Sequence, residues 1–320
     1  MCWALWLFTA SLAGCSRLLN WLPDHRTPVK KSLKVVEKPD TSQKRTGKPP
    51  QGPPDLAVVK GSDPEENLRR ALERLGGIEK FVKRNAKVVI KPNLLTAKEP
   101  EYAVTTNPLL VGALVKMCYE AGARIVVVLD RPVGSPRLTF EVSGIAKATQ
   151  SAGGQIKILT DRNFENTLIP EGQVLKSWPL AKDVFEADVF INVPIAKDHS
   201  LATLTMAMKN LMGIMGGNRS QVHINFHQKI VDLNTLVRPH LVVLDAHRIL
   251  VRNGPTGGSL SDVKVANTLV VGTNQVSVDA YGATLFGLAP ENLLYLILAK
   301  ERSLGEINLN KLKIIKENLV

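Results

Sequence analysis

At 320 residues, with 44% hydrophobic and 22% charged side chains, the chain can bury one large core or two modest lobes, built on aliphatic residues since aromatics make up only 5%. The three cysteines, Cys2, Cys15 and Cys118, form no CxxC pair, which argues against an iron–sulfur cluster, a zinc ribbon or a disulfide framework. Of the net charge of +12, residues 24–54 supply +5, with eight Lys or Arg against three Asp or Glu; the remainder is spread thinly, with no basic stripe interleaved with aromatics, so no nucleic-acid partner is expected.

In chain order, residues 1–22 form an apolar segment. The run Trp3 to Ala10 is short for a membrane span and is followed by Leu12-Ala13-Gly14-Cys15, small residues before a cysteine as in a lipoprotein signal. Lipidation of Cys15 is therefore expected, with a lipid-anchored, extracytoplasmic location in the cell envelope. No Lys or Arg precedes the run, so an uncleaved N-terminal membrane anchor is the alternative. Residues 23–54 read as a basic, Pro-rich linker that can lie along an anionic membrane surface. The folded part spans 55–320.

There the pattern is strand, loop, helix, repeated. Strands are predicted at Asp55 to Lys60, Lys87 to Lys91, Arg124 to Leu129, Gln155 to Leu159, Ala187 to Val193, His240 to Leu244 and Leu269 to Val271. Helices are predicted over Pro64 to Leu75, Pro108 to Ala121, Leu138 to Ala152, Leu201 to Met212, Val222 to Leu236 and Val276 to Phe286. The fold class is α/β, a mainly parallel sheet with flanking helices. Two lobes are possible on this pattern, with Glu165 to Val184 as the crossing.

Ligands of such sheets bind beyond the carboxyl ends of the strands. This chain puts polar residues there four times: Lys91 and Asn93, then Asp130 and Arg131, then Lys197, Asp198 and His199, then Asp245 and His247. Lys209 and Asn210 interrupt an apolar helical run, so the ammonium must snorkel, pair with an acid or enter a cavity. His223 and His227 are four apart and would share a helix face, as a metal pair or as structural residues. The loop containing Gly254, Gly257 and Gly258 could cradle an anion with its backbone N–H groups, or be a plain turn.

These residues resemble a bacterial and archaeal family catalogued as domain of unknown function 362. The resemblance is carried by Lys91-Pro92-Asn93-Leu94, Thr105-Thr106-Asn107-Pro108, Asp188 to Pro194, and Lys197 with His199. It continues through Lys209-Asn210-Leu211-Met212-Gly213, His223, Asp232-Leu233-Asn234, Asp245-Ala246, Gly254-Pro255-Thr256-Gly257-Gly258 and Val278-Asp279-Ala280, and so covers 55–320. Many relatives carry a ferredoxin-like cysteine module, which this chain lacks.

A more distant resemblance is to the lactate racemase family, whose members hold a nickel-pincer nucleotide on a lysine. His199 and Lys209 match that family's His and Lys, ten residues apart after a strand, and His223 or His227 would match a further histidine. Thr105 to Pro108 is similar to its substrate-anion loop. Asp130-Arg131 stands where that family has a histidine, and its Gly-rich run before the lysine is absent.

The expected function is an enzyme acting on a small anionic substrate or a phosphate-bearing cofactor of unidentified kind. His199, as general acid or base, Lys209 and Asp245 are the candidate catalytic residues. Lys91, Asn93, Thr106, Asp130, Lys197, Asn210, Gly254, Gly257 and Gly258 are the candidate ligand contacts. An anion-binding protein without chemistry, and a metal-dependent hydrolase using His223, His227 and Asp245, stand as alternatives.

Overall fold

Residues 53–319 are described by the computed structural model. The expected signal segment, Cys15 and the linker as far as residue 52 lie outside the described residues.

The apolar runs become strands. β1 (Leu56–Lys60), β2 (Lys87–Pro92), β3 (Ile125–Asp130) and β4 (Gln155–Ile158) are followed by the ribbon β5 (Phe164–Leu168) and β6 (Ser177–Ala181). Next come β7 (Val189–Val193), β8 (Ile195–His199), β9 (Thr203–Thr205), β10 (Leu241–Leu250), β11 (Val263–Gly272) and β12 (Ile314–Asn318). Apart from the ribbon they form one ten-stranded sheet in the order β12-β1-β11-β10-β7-β2-β3-β4, with β8 on β10 and β9 on β8. The β10-β7-β2-β3-β4 block is parallel, and β11 runs antiparallel to both β10 and β1. Val88, Val89 and Ile90 are completely buried, as expected for a parallel strand covered on both faces.

Helices cover the sheet. α1 (Pro64–Leu75) starts where the Asp63 side chain accepts from the backbone N–H groups of Glu65 and Glu66, and it stops at left-handed Gly76. α2 (Pro108–Glu120) is capped by Asn107. The predicted helix over 138–152 is two short helices, α3 (Pro136–Val142) and α4 (Ile145–Ser151), broken at Gly144, whose φ of 74° only glycine adopts easily. α5 (Lys182–Phe185) leads into β7.

The predicted helix over 201–212 is largely absent. Thr203–Thr205 pair with β8, and only the turn α6 (Ala207–Asn210) is α-helical before a 3-10 turn over Leu211–Ile214. α7 (Phe226–Leu236), α8 (Gln275–Leu285) and α9 (Leu294–Glu301) complete the helices. The stretch expected to cross between lobes is the β5–β6 ribbon, held against the loop at Gly216 by Gly216 N–H to Pro179 O at 2.7 Å and Trp178 Nε1–H to Gly216 O at 3.0 Å.

Candidate functional site

Beyond the carboxyl ends of β2, β3 and β8 lies a cleft of about 420 Å³. Its wall is basic. Lys91, Arg131, Lys209 and Arg219 line it, and among the described residues Asp130 is its one carboxylate.

The floor is a ladder of buried amides. Lys91 Nζ donates to Pro92 O at 2.9 Å and Asn210 Oδ1 at 3.1 Å, and pairs with Asp130 Oδ2 at 3.2 Å. Asn93 Nδ2 donates to the same Asn210 oxygen at 2.9 Å, while Asn93 Oδ1 accepts from Lys197 Nζ. Asn210 Nδ2 donates to Asn192 Oδ1 at 2.8 Å, and Asn192 Nδ2 donates onward to Gln275 Oε1 at 2.8 Å. A fully satisfied buried network of this kind fixes side chains in one arrangement. Gly213 passes so close that a Cβ there would strike Asp130 Oδ1 and come within 2.6 Å of Lys91 Nζ.

Burial pulls Lys91 below the usual lysine range, although Asp130 works against the shift. Lys197, buried with Val104 O and Asn93 Oδ1 as acceptors, is lowered further, first by desolvation and then by Lys209. Lys209 differs from both. It is half-buried, its Nζ has no hydrogen bond or ion pair among the described residues, and the Phe226 ring lies 5.8 Å away. Burial, then Arg219 and Lys91, bring its amine down to about 7. Arg219 donates to Arg131 O at 2.8 Å and Pro132 O at 3.2 Å but has no carboxylate within salt-bridge distance among the described residues.

His199 is held as a neutral ring. Its Nδ1 accepts from the N–H groups of Leu201 at 3.1 Å and Ala202 at 3.2 Å, so the proton resides on Nε2. Burial, then Lys209, Lys197 and His223, push its pKa down to about 3. With Nδ1 accepting, the ring presents its Nε2 N–H as a donor, in place of an imidazole titrating near neutrality.

Of the residues singled out in the sequence, Lys91, Asn93, Asp130, His199, Lys209, Asn210 and His223 meet in this cleft. Asp245 does not. Strand β10 continues past it to Leu250 because β11 pairs along its length, so Asp245 sits mid-strand. There it accepts from Asn107 N at 2.7 Å and from the backbone of His247 at 3.1 Å.

Thr106 is likewise spent, its hydroxyl donating to Val193 O and accepting from Asn93 N, both at 2.8 Å. Lys197 stands behind the wall. The glycine loop does not present a cradle: Gly254 N–H donates to Asp198 Oδ2 at 3.0 Å and Gly257 N–H to Asn253 O at 2.9 Å. A Cβ at Gly254 would strike the Asp198 carbonyl, so the loop is pinned to β8, and it is Pro255 and Thr256 that line the cleft; Gly258 does not.

His223 and His227 do not share a helix face, because a 3-10 turn ends at His223 and α7 begins at Phe226. His223 stacks on the Phe226 ring at 5.3 Å, and His227 stacks on Tyr295 with its Nδ1 buried and unpartnered. Among the described residues no three His, Cys, Asp or Glu side chains converge to hold a metal.

The sequence reading missed Arg219 and Thr205, and it named Gly213 only within the family motif and gave it no role. Arg219 follows Gly216-Gly217-Asn218 and reads as a solvated turn; its partners are backbone carbonyls, which leave no trace in sequence. Thr205 lines the cleft with a buried hydroxyl that has no partner among the described residues.

Residues 88–284 match the family model described as a domain of unknown function, DUF362. The chain belongs to this family. A thylakoid-associated protein of Synechocystis sp. is 31% identical over 205 residues, a match spanning 62% of this chain and 63% of that protein. Among solved structures, the lactate racemase apoprotein of Thermoanaerobacterium thermosaccharolyticum has a TM-score of 0.47 at 13% identity, covering 72% of this chain and 56% of that one. A Thermotoga maritima protein has a TM-score of 0.40 at 12% identity, covering 76% of this chain and 60% of that one. Neither likeness bears on chemistry. No helix among the described residues is long and apolar enough to cross a membrane.

Proposed function

We propose that this DUF362 protein is an enzyme that binds a small anionic substrate or phosphate-bearing cofactor in the cleft between Lys209 and Arg219. The observation that carries the reading is that neither of these half-buried cations has a carboxylate within salt-bridge distance among the described residues; Asp130 acts on Arg219 only from farther off and is itself paired with Lys91. A buried cation without a counter-charge is costly, and an incoming anion removes that cost. The unpartnered Thr205 hydroxyl and the fixed N–H of His199 would add hydrogen bonds.

Lys91 and Asp130 neutralise one another at 3.2 Å and hold the floor. Chemistry, in addition to capture, is supported by an amine near 7, a value suited to proton transfer or nucleophilic attack. Membrane tethering through Cys15 and the basic linker is part of the proposal. It is supported by the sequence around Cys15 and by the description of the Synechocystis relative as thylakoid-associated.

Calorimetric titration of the full chain with inorganic phosphate and with malonate tests the reading. Saturable one-to-one binding is expected. Arg219→Met should remove a charge-assisted contact of ~2 kcal/mol, roughly 30-fold in Kd. Identical titrations for the two proteins, or no binding by either, would refute it.

A further inference from the structure

Resting on the anion-binding reading of the cleft, we propose that Lys209 is a carbonyl-capturing nucleophile that forms an imine with a small carboxylate bearing a ketone or aldehyde, such as a 2-oxo acid. The three cleft lysines are not equivalent. Lys91 Nζ is saturated by Pro92 O, Asn210 Oδ1 and Asp130 Oδ2, and Lys197 Nζ is engaged by Asn93 Oδ1 and Val104 O. Lys209 Nζ has only the Phe226 ring as a neighbour of this kind among the described residues, and it borders the open volume.

The turn that carries it is fixed. The Asp279 carboxylate accepts the first two N–H groups of α6, from Ala207 and Met208, and Asn192 Nδ2 donates to Ala207 O at 2.9 Å. The backbone that carries the amine is thus held on a rigid support, which limits where the side chain can reach.

The groups around the amine complete the fit. Arg219, half-buried and without a salt bridge among the described residues, donates one N–H from each terminal nitrogen to Arg131 O and Pro132 O and keeps its other N–H groups for the carboxylate of the incoming acid. His199, with its proton on Nε2, supplies a donor to a carbonyl oxygen and to the carbinolamine oxygen that follows. The titratable and charged groups around Lys209 are Arg219, Lys91, Lys197 and His199, while Asp130 is tied to Lys91; burial together with Arg219 and Lys91 leaves much of the amine unprotonated near neutral pH.

The step balances without an added oxidant or reductant. The Lys209 amine adds to the carbonyl carbon, and one amine proton passes to the oxygen to give the carbinolamine. The C–O bond then breaks, and the oxygen leaves with the second amine proton as water. The products are one imine and one water, with no net change in oxidation state.

Borohydride trapping on the full chain tests this. With pyruvate or glyoxylate and sodium borohydride, hydride adds to the imine carbon and fixes a secondary amine. With pyruvate, the peptide containing Lys209 should gain the mass of pyruvic acid less one oxygen atom. Labelling should be at least tenfold above the other lysines, absent in Lys209→Arg, suppressed by excess phosphate, and half-maximal in rate near pH 7.

If neither acid labels Lys209 above the level seen in urea-unfolded chain, while phosphate still binds calorimetrically, the inference fails and the cleft reading stands. If phosphate also fails to bind, both fail.

Discussion

Asp279 Oδ1 accepts the backbone N–H of Ala207 at 2.6 Å, across 72 residues of sequence. Its second oxygen accepts from Met208, so a carboxylate on α8 caps the single turn that presents Lys209. The group is completely buried, and desolvation outweighs these bonds, lifting its pKa to about 7.

A pH dependence of stability follows. Because the folded-state pKa lies above the unfolded value of about 4, the contribution of Asp279 is largest below pH ~4 and is lost as pH rises through 7. The melting temperature of wild type minus that of Asp279→Asn should fall between pH 4 and 7 and level off above. A difference independent of pH would contradict the assignment.

Gly213 tests the cleft floor. An alanine there drives a methyl group into the Lys91–Asp130 pair, which is itself locked by Asn210 and the N–H of Leu94. Overpacking of this kind costs ~1–3 kcal/mol. Gly213→Ala should lower the unfolding free energy by about that amount in a denaturant titration and weaken phosphate binding at the same time. A variant unchanged in both would show that the floor gives way.

Asp245 separates fold from site. Asp245→Ala leaves the Asn107 N–H and His247 without their acceptor inside the core, a loss of ~3 kcal/mol. Phosphate affinity of the fraction that folds should stay within about twofold of wild type. A large drop in affinity at retained stability would return Asp245 to the site.

Strands and caps were the legible part of this chain. Val88-Val89-Ile90 and Phe190-Ile191 are continuous apolar runs, and Pro64 with Gly76 brackets α1, so local sequence was enough. The break at Gly144 is local, but the failures around β8 and β9 share a cause in long-range pairing. Ile195-Ala196-Lys197-Asp198-His199 is too polar to announce a strand, yet β10 and β9 pair with it. The methionine-rich run after Leu201 has helical spacing, but β8 draws its first part into a hairpin.

The amide ladder from Asn93 through Asn210 and Asn192 to Gln275 joins the loop after β2 to α6, β7 and α8. Asn93 and Asn210 stand out in the sequence, but their link through Asn192 to Gln275 exists only once the sheet brings them together.

Lys209→Met should stabilise the protein. The folded-state pKa, lowered to about 7, means the desolvation cost of the ammonium is fully present below pH 7 and is relieved as pH rises from 7 toward the unfolded value near 10.4. The gain from methionine should therefore be largest below pH 7, roughly 2 kcal/mol for this half-buried position, and should shrink above it. Phosphate should no longer protect the variant against heat. Destabilisation by methionine at every pH would instead reveal an acid partner.

The most direct test of the cationic cleft is the titration of Lys209 itself, followed by NMR of side-chain-labelled lysine and assigned with Lys209→Arg. Without added anion, one lysine should titrate near pH 7, and saturating phosphate should raise that value by about one unit or more, as the bound charge favours the ammonium. A Lys209 titrating near 10.4, unmoved by phosphate, would contradict the account.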